Sequence, residues 1–328
     1  MNQELSYKLN KLYNQNELFK DFNGYIMIKE GTEILFQQNF GYSDYQTKQI
    51  AHENTVYNIG SITKQFTAMC TLQLVQKGLI ALNDCIGSYL PDFKNGANLK
   101  IRDILNMVSG MPEYWWRPGW KETDTTTSED AYEFIKTLTD YKPPHQSFDY
   151  CNSNYIVLGK LIERITGISL SEYMEANIFR PLGLQHTYFQ TAKGHTPNLA
   201  TGYKSPRVSK WEKATAIYSF AGAGGLCSSA ADLCIWDNAL YTDRLLRNDL
   251  MEVMFQPVLS GYAMGWYIDG ANASHGGDAP GFSTSLTRIR DRKLLILLLC
   301  NFEGCKESNM GHYAGFVKEL VLKNSFGE

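Results

Sequence analysis

Asn58-Ile59-Gly60-Ser61-Ile62-Thr63-Lys64-Gln65-Phe66 turns out of a short apolar pair, Val56-Tyr57, and opens directly into a helix, with a serine at its mouth and a lysine three residues on. Side chains at i and i+3 share a helical face, so the Lys64 ammonium can reach the Ser61 hydroxyl. The first-turn N–H groups of a helix have no intrahelical partner and the macrodipole is positive there, which disfavours a protonated lysine. In a partly dry site its pKa falls further, and a neutral amine beside a hydroxyl is a base beside a nucleophile. Ile62, Phe66, Ala68, Met69, Cys70, Leu72, Leu74 and Val75 cover most of the surface from Ser61 to Lys77, which predicts a helix buried in the middle of the molecule and ended by Gly78.

On the N-terminal side, residues 3–21 have helical spacing and stop at Asn23-Gly24, and Tyr25–Ile28 and Ile34–Phe36 flank a glycine-containing turn in a hairpin pattern. On the C-terminal side, residues 79–200 carry helical patterns (Ile101 to Val108, Ser128 to Thr139, Asn154 to Thr166, Leu170 to Ile178) without convincing strand alternation. Ser229-Ala230-Ala231-Asp232 reads as a capping box for a helix running to Leu240. Met264–Ile268, Ser283–Ile289 and Leu294–Cys300 read as strands, and Gly311 to Lys323 as a closing helix. Early strands, a helical middle and late strands predict an α+β chain whose two ends build one sheet. The expected division is a discontinuous sheet domain of residues 1–80 and 207–328 around a helical domain of residues 81–206.

At 328 residues the chain is long enough to bury a sizeable core. Its 31 basic and 34 acidic residues, with no polybasic block, argue against nucleic acid and anionic membrane as partners. The longest apolar run, Leu294 to Cys300, is too short to span a bilayer. Seven cysteines without a Cys-x-x-Cys pair argue against a disulfide framework and a zinc knuckle. A reducing cytoplasm fits best, or secretion if a leader was removed, since the opening residues lack a basic segment followed by an apolar run.

Ser-x-x-Lys alone is weak, because a chain of this length is expected to hold about one by chance. Two further elements give it weight. Tyr150-Cys151-Asn152 stands between a loop, Lys142–Asp149, and a helix, and its phenol and amide project the same way. Tyr150 can pass a proton to a leaving group if a nearby cation lowers its pKa, and Asn152 can hold a substrate amide. His275-Gly276-Gly277-Asp278 reads as an inner strand and its turn, where paired glycines let a substrate backbone lie flush against the strand. The N–H of Asp278 together with that of Ser61 can form an oxyanion hole. His275 is equally readable as a satisfied strand histidine. Glu113-Tyr114-Trp115-Trp116-Arg117-Pro118-Gly119-Trp120 is an aromatic loop, read first as packing between helices and second as a cleft wall. Gly222-Ala223-Gly224-Gly225 completes neither phosphate-loop pattern, and Lys94-Asn95-Gly96 is set aside because it lies in a turn of the helical region.

These three ordered motifs resemble the penicillin-recognising serine hydrolases, and within them the class C β-lactamase, DD-carboxypeptidase and family VIII esterase branch. Phe40-Gly41-Tyr42, Ile101–Leu105 with Val108–Pro112, Gly159–Glu163, Pro181–Leu184 and Ala223–Leu226 extend the likeness over nearly the whole chain. The resemblance implies a five-stranded antiparallel sheet flanked by helices, plus an all-helical domain, with the site between them. It implies acylation at Ser61, proton movement by Lys64 and Tyr150, and substrate contacts from Asn152, His275, Gly276, Gly277 and Asp278, with no metal or cofactor. His275 departs from the lysine usual in β-lactamases, and an imidazole neutral at pH 7 holds a carboxylate less strongly than a fixed ammonium. The expectation is therefore a serine hydrolase of esters or D-amino-acid and peptide amides, with at most weak β-lactamase activity, acting on a small molecule or short peptide. The competing reading is a penicillin-binding protein or sensor that acylates without efficient turnover.

Overall fold

The computed structural model describes residues 3–16, 19, 22–123, 126–190, 197–204, 212–216, 220–303 and 310–325. Helix α1 (Gln3–Gln15) precedes the hairpin of β1 (Gly24–Glu30) and β2 (Glu33–Phe40). After β3 (Val56–Asn58), a 3-10 turn (Gly60–Ile62) leads into α2 (Thr63–Gln76). The helical stretch holds α3 (Ile101–Leu105), α4 (Ser128–Thr137), α5 (Asn152–Thr166) and α6 (Leu170–Met174), the last continuing through a π turn into α7 (Arg180–Leu182). Then follow β4 (Tyr188–Phe189), β5 (Leu226–Ser229), α8 (Ala230–Ala239) and α9 (Asn248–Met254). The chain ends with β6 (Tyr262–Ala263), β7 (Trp266–Asp269), β8 (Asn272–Ala279), β9 (Phe282–Ile289), β10 (Leu294–Cys300) and α10 (Met310–Ser325).

The main sheet runs β2-β1-β10-β9-β8-β7-β6, antiparallel throughout, so the chain's two ends do build one sheet. β10 is the reason: it is buried along its whole length and pairs Gly24↔Cys300 through Glu30↔Leu294 with β1. An unbroken apolar run suits a strand covered on both faces. The sheet carries seven strands where the resemblance implied five, because β6 and β7 fold back as a short hairpin beside β8. A second sheet, β3-β5-β4, was not expected. Its strands are two to four residues long, too short for a period-2 pattern to register. Ser229 caps α8 by accepting the Asp232 N–H at 3.2 Å, but the box is not closed, because Asp232 instead accepts the His186 N–H and the Thr187 hydroxyl, each at 2.7 Å.

Helix α2 is buried on all sides from Thr63 to Leu74, Lys64 included, as the apolar wrap predicted. It packs against α5, α6 and α9 on the helical side, while the turn before it presses on β8. The six cysteines among the described residues form no disulfide with one another, and Cys305 lies outside those residues. Among the described residues no helix is long and apolar enough to cross a membrane.

Candidate active site

The turn that carries Ser61 is built before α2 begins. Gly60 takes a left-handed φ of 50°, its N–H donates to the Asn58 side chain at 2.9 Å, and Thr63 Oγ1 donates to its carbonyl at 2.7 Å. Strand β8 lies directly against this turn. A Cβ on Gly277 would stand 1.9 Å from the Ile59 carbonyl oxygen and 2.9 Å from the Ser61 nitrogen, and one on Gly60 would stand 2.6 Å from the Asp278 nitrogen. Both positions therefore exclude a side chain, and the backbones of Ser61 and Asp278 are brought together as an oxyanion hole requires.

Lys64 Nζ lies 3.0 Å from Ser61 Oγ, 2.8 Å from Asn152 Oδ1 and 2.7 Å from the Ala223 carbonyl oxygen. A neutral amine has two N–H groups and one lone pair. The two carbonyl oxygens accept both N–H groups, which leaves the lone pair for the Ser61 hydroxyl proton. Burial pushes the Lys64 pKa down to about 7, and the Glu113 carboxylate opposes a further fall. The depression comes from dryness.

Tyr150 also reaches Ser61, and its ring centroid lies 5.0 Å from Lys64 Nζ. The expected lowering of its pKa is not found. Burial drives the phenol well above its ordinary value, against the hydrogen bond with Ser61, which pulls it down. Tyr150 is therefore a protonated phenol at neutral pH, suited to donating or relaying a proton and not to acting as a standing phenolate. His275 is buried, and its pKa falls to about 3 through burial and the nearby Lys64 charge. Its Nδ1 is 2.6 Å from the Gly276 carbonyl oxygen, to which it donates, so Nε2 accepts from the Tyr262 hydroxyl at 3.3 Å. Tyr150, Tyr262 and Tyr267 surround the ring at centroid distances of 5.4–6.0 Å. A neutral imidazole in an aromatic cage offers no charge to a substrate carboxylate.

The Ser61 hydroxyl opens into a cleft of about 880 Å³, into which Tyr150, Asn152, His275, Gly276 and Asp278 also project. Gly277 is turned away into the turn. The aromatic loop does both things considered for it: Trp120 packs on Tyr114 (5.0 Å between centroids) and Phe134 (5.3 Å), while Trp115 and Trp116 line the cleft, Trp116 being 83% exposed. Lys94-Asn95-Gly96 packs Gly96 against Gly87 and takes no part in the cleft.

Three contributors escaped the sequence reading. Glu113 Oε2 accepts the Asn152 N–H at 2.6 Å and Oε1 accepts the Trp115 N–H at 3.1 Å, so one carboxylate caps α5 and folds the aromatic loop. Cys151, at the N-cap position of α5, makes no side-chain cap of its own, and a carboxylate at a helix N-terminus is favoured by the dipole. Ala223 contributes a carbonyl, which no side-chain pattern can signal. Tyr262, the His275 partner, was hidden among 20 tyrosines.

A family model described as Beta-lactamase matches residues 17–314. Penicillin-binding protein 4* of Bacillus subtilis is 28% identical over 310 residues, covering 86% of this chain and 68% of that protein. Among solved structures, a penicillin-binding protein from Bacillus halodurans superposes with a TM-score of 0.83 at 21% identity, covering 96% of this chain and 100% of the other. A D-amino acid amidase from Ochrobactrum anthropi SV3 gives 0.83 at 23% identity, covering 99% and 100%. At these identities the likeness to the two structures is one of fold.

Proposed function

The chain belongs to the beta-lactamase family and is a serine hydrolase, and from that premise we propose that it works through an acyl-enzyme on Ser61, cleaving esters or D-amino-acid and peptide amides. The observation that carries the proposal is the Lys64 amine, whose two N–H groups are taken by carbonyl oxygens while it faces Ser61 Oγ at 3.0 Å. In this reading Ser61 Oγ attacks the substrate carbonyl carbon as its proton passes to Lys64. The N–H groups of Ser61 and Asp278 hold the oxyanion, which is the largest single contribution expected of such a site. Tyr150 delivers a proton to the leaving group, and Asn152 both fixes Lys64 and contacts the substrate. Water then attacks the ester, with Lys64 and Tyr150 moving protons in the reverse sense. The neutral, caged His275 supports a preference away from β-lactams, since a carboxylate-bearing leaving group finds no fixed cation on this strand.

Ser61→Ala tested against a chromogenic short-chain ester, a D-alanyl peptide and a cephalosporin is expected to abolish turnover of whichever the parent cleaves, and retained turnover of all of them would falsify the assignment. A second reading, acylation without efficient release, is favoured by the likeness to penicillin-binding protein 4*. Intact-mass spectrometry after penicillin treatment separates the two: a lasting adduct on Ser61 supports the stalled form, and rapid ester hydrolysis without an adduct supports the hydrolase.

A further inference from the structure

Strand β8 pairs with β7 only from Asn272 to Ser274, and among the described residues the edge from His275 onward carries no strand on that side. An extended substrate can lie along it by strand addition. Chain direction then orients the substrate, given the reading of Ser61 and Tyr150 above, on which this inference rests. Tyr150 stands with Tyr267 and His275 at the start of the free edge, and a leaving group protonated by Tyr150 departs at that end. The acyl part extends the other way, toward Asp278, Ala279, Pro280 and Phe282.

Among the described residues the charge at that end is negative. Asp278, whose backbone N–H faces the oxyanion position, has its side chain exposed in the cleft, and its Oδ1 is held by the Ser283 hydroxyl. Glu303 lines the same end, its carboxylate receiving the Gly281 N–H at 3.2 Å. Lys204 is the only cation among the described residues lining the cleft, and it is already paired with Glu212. No described cation lies within ion-pairing distance of Asp278. A carboxylate that is fixed by a hydroxyl, left without a counter-ion among the described residues and set beside the reacting carbonyl discriminates by sign. We infer that Asp278 is a specificity-determining residue that selects substrates with a positively charged acyl part, aminoacyl esters or amides with a free amine, over neutral and anionic acyl groups.

The test compares Ser61-dependent hydrolysis of the methyl esters of D- and L-phenylalanine, 3-phenylpropionic acid and N-succinylphenylalanine in mildly acidic buffer, where the free amine is charged. The benzyl group common to all suits the Trp115 and Phe220 wall. The better phenylalanine ester is expected to exceed the phenylpropionate in kcat/KM by about fivefold, the succinyl ester to be slowest, and added salt to narrow the gap. Asp278→Asn keeps the backbone N–H and is expected to bring the amine-to-neutral ratio near one. A residue that merely anchored Ser283 would lower all four rates and leave the ratio alone. Equal rates for the charged and neutral esters, a ratio unmoved by Asp278→Asn, or no reaction with any ester overturns the inference. The Ser61 reading is judged apart, by a fluorophosphonate expected to label the parent protein and not Ser61→Ala.

Discussion

Lys64 sits at the point where burial and chemistry meet, and its titration should be visible in the rate. With the pKa pushed down to about 7, protonation removes the base, so kcat/KM should fall tenfold per pH unit well below pH 7 and level off above it. His275, neutral above about pH 3, adds no inflection in that range. The same shift acts on stability. Between about pH 7 and the ordinary lysine value of 10.5 the unfolded chain holds a proton that the folded chain gives up, so the Lys64 contribution to stability rises with pH across that window. Glu113 is the carboxylate that opposes the depression. Glu113→Gln should therefore move the acid limb of kcat/KM toward lower pH, by about half to one pH unit, and lower kcat because the Asn152 N–H loses a charged acceptor. A limb that stayed in place while only the rate fell would leave Glu113 as a helix cap with no electrostatic influence on Lys64. Ser61 and Lys64 were legible because i and i+3 is a local spacing. Glu113 was not, because its meaning depends on a helix that begins 39 residues later in the chain.

Strand β8 was legible as an element, yet its two glycines looked interchangeable in the sequence and are not. Gly277 faces the Ser61 turn, where a Cβ would stand 1.9 Å from the Ile59 carbonyl oxygen, whereas the nearest atom to a Cβ on Gly276 is the Thr284 carbonyl oxygen at an ordinary 3.5 Å. The alternation of a strand puts them on opposite faces, and register against β9 (Gly276↔Ser285, Gly277↔Thr284) fixes which is which. Gly277→Ala should force the strand off the turn and displace the Asp278 N–H. The expected result is a loss of about 10²-fold or more in kcat, as for removal of an oxyanion donor, with a lowered melting temperature. Gly276→Ala should leave the melting temperature within a degree or two, since exposed substitutions usually change stability by less than about 0.5 kcal/mol. Equal melting temperatures for the two variants would refute the close approach. The long periodic helices α2, α4 and α5 and the apolar strand β10 were readable for a complementary reason: each repeats its pattern over two or more turns or the full strand. β4 and β5 are held by partners far away in sequence, and β6 is two residues long and held by its hairpin with β7, so no local pattern marks any of them.

Across the whole molecule, α2 is flanked by two layers that the sequence joins only through long connections, and their union on the sheet side includes charge as well as apolar packing. Arg288 on β9 is 1% exposed, its guanidinium 4.4 Å from the Tyr241 ring centroid and 5.6 Å from that of Trp266. Its Nε lies 2.5 Å from Asp237 Oδ1 on α8, and Lys29 on β1 approaches Asp237 Oδ2 at 3.7 Å while donating to the neighbouring Asn238 side chain at 2.5 Å. Thus a strand from each end of the chain meets one helix through a single carboxylate. Nothing in the sequence announced this, because an arginine or lysine in a strand ordinarily lies on a solvated face. Two buried cations depend on Asp237, so its removal should cost far more than the loss of one surface pair. Asp237→Ala is expected to lower the free energy of unfolding in urea by about 3 kcal/mol or more, through a lower midpoint at constant slope. Arg288→Met in that background should cost less than it does alone, since the cation left without a partner is then gone, with a coupling of about 1 kcal/mol or more. Strict additivity of the two substitutions would show instead that the helix and the sheet are held by their apolar contacts and that the buried charges are bystanders.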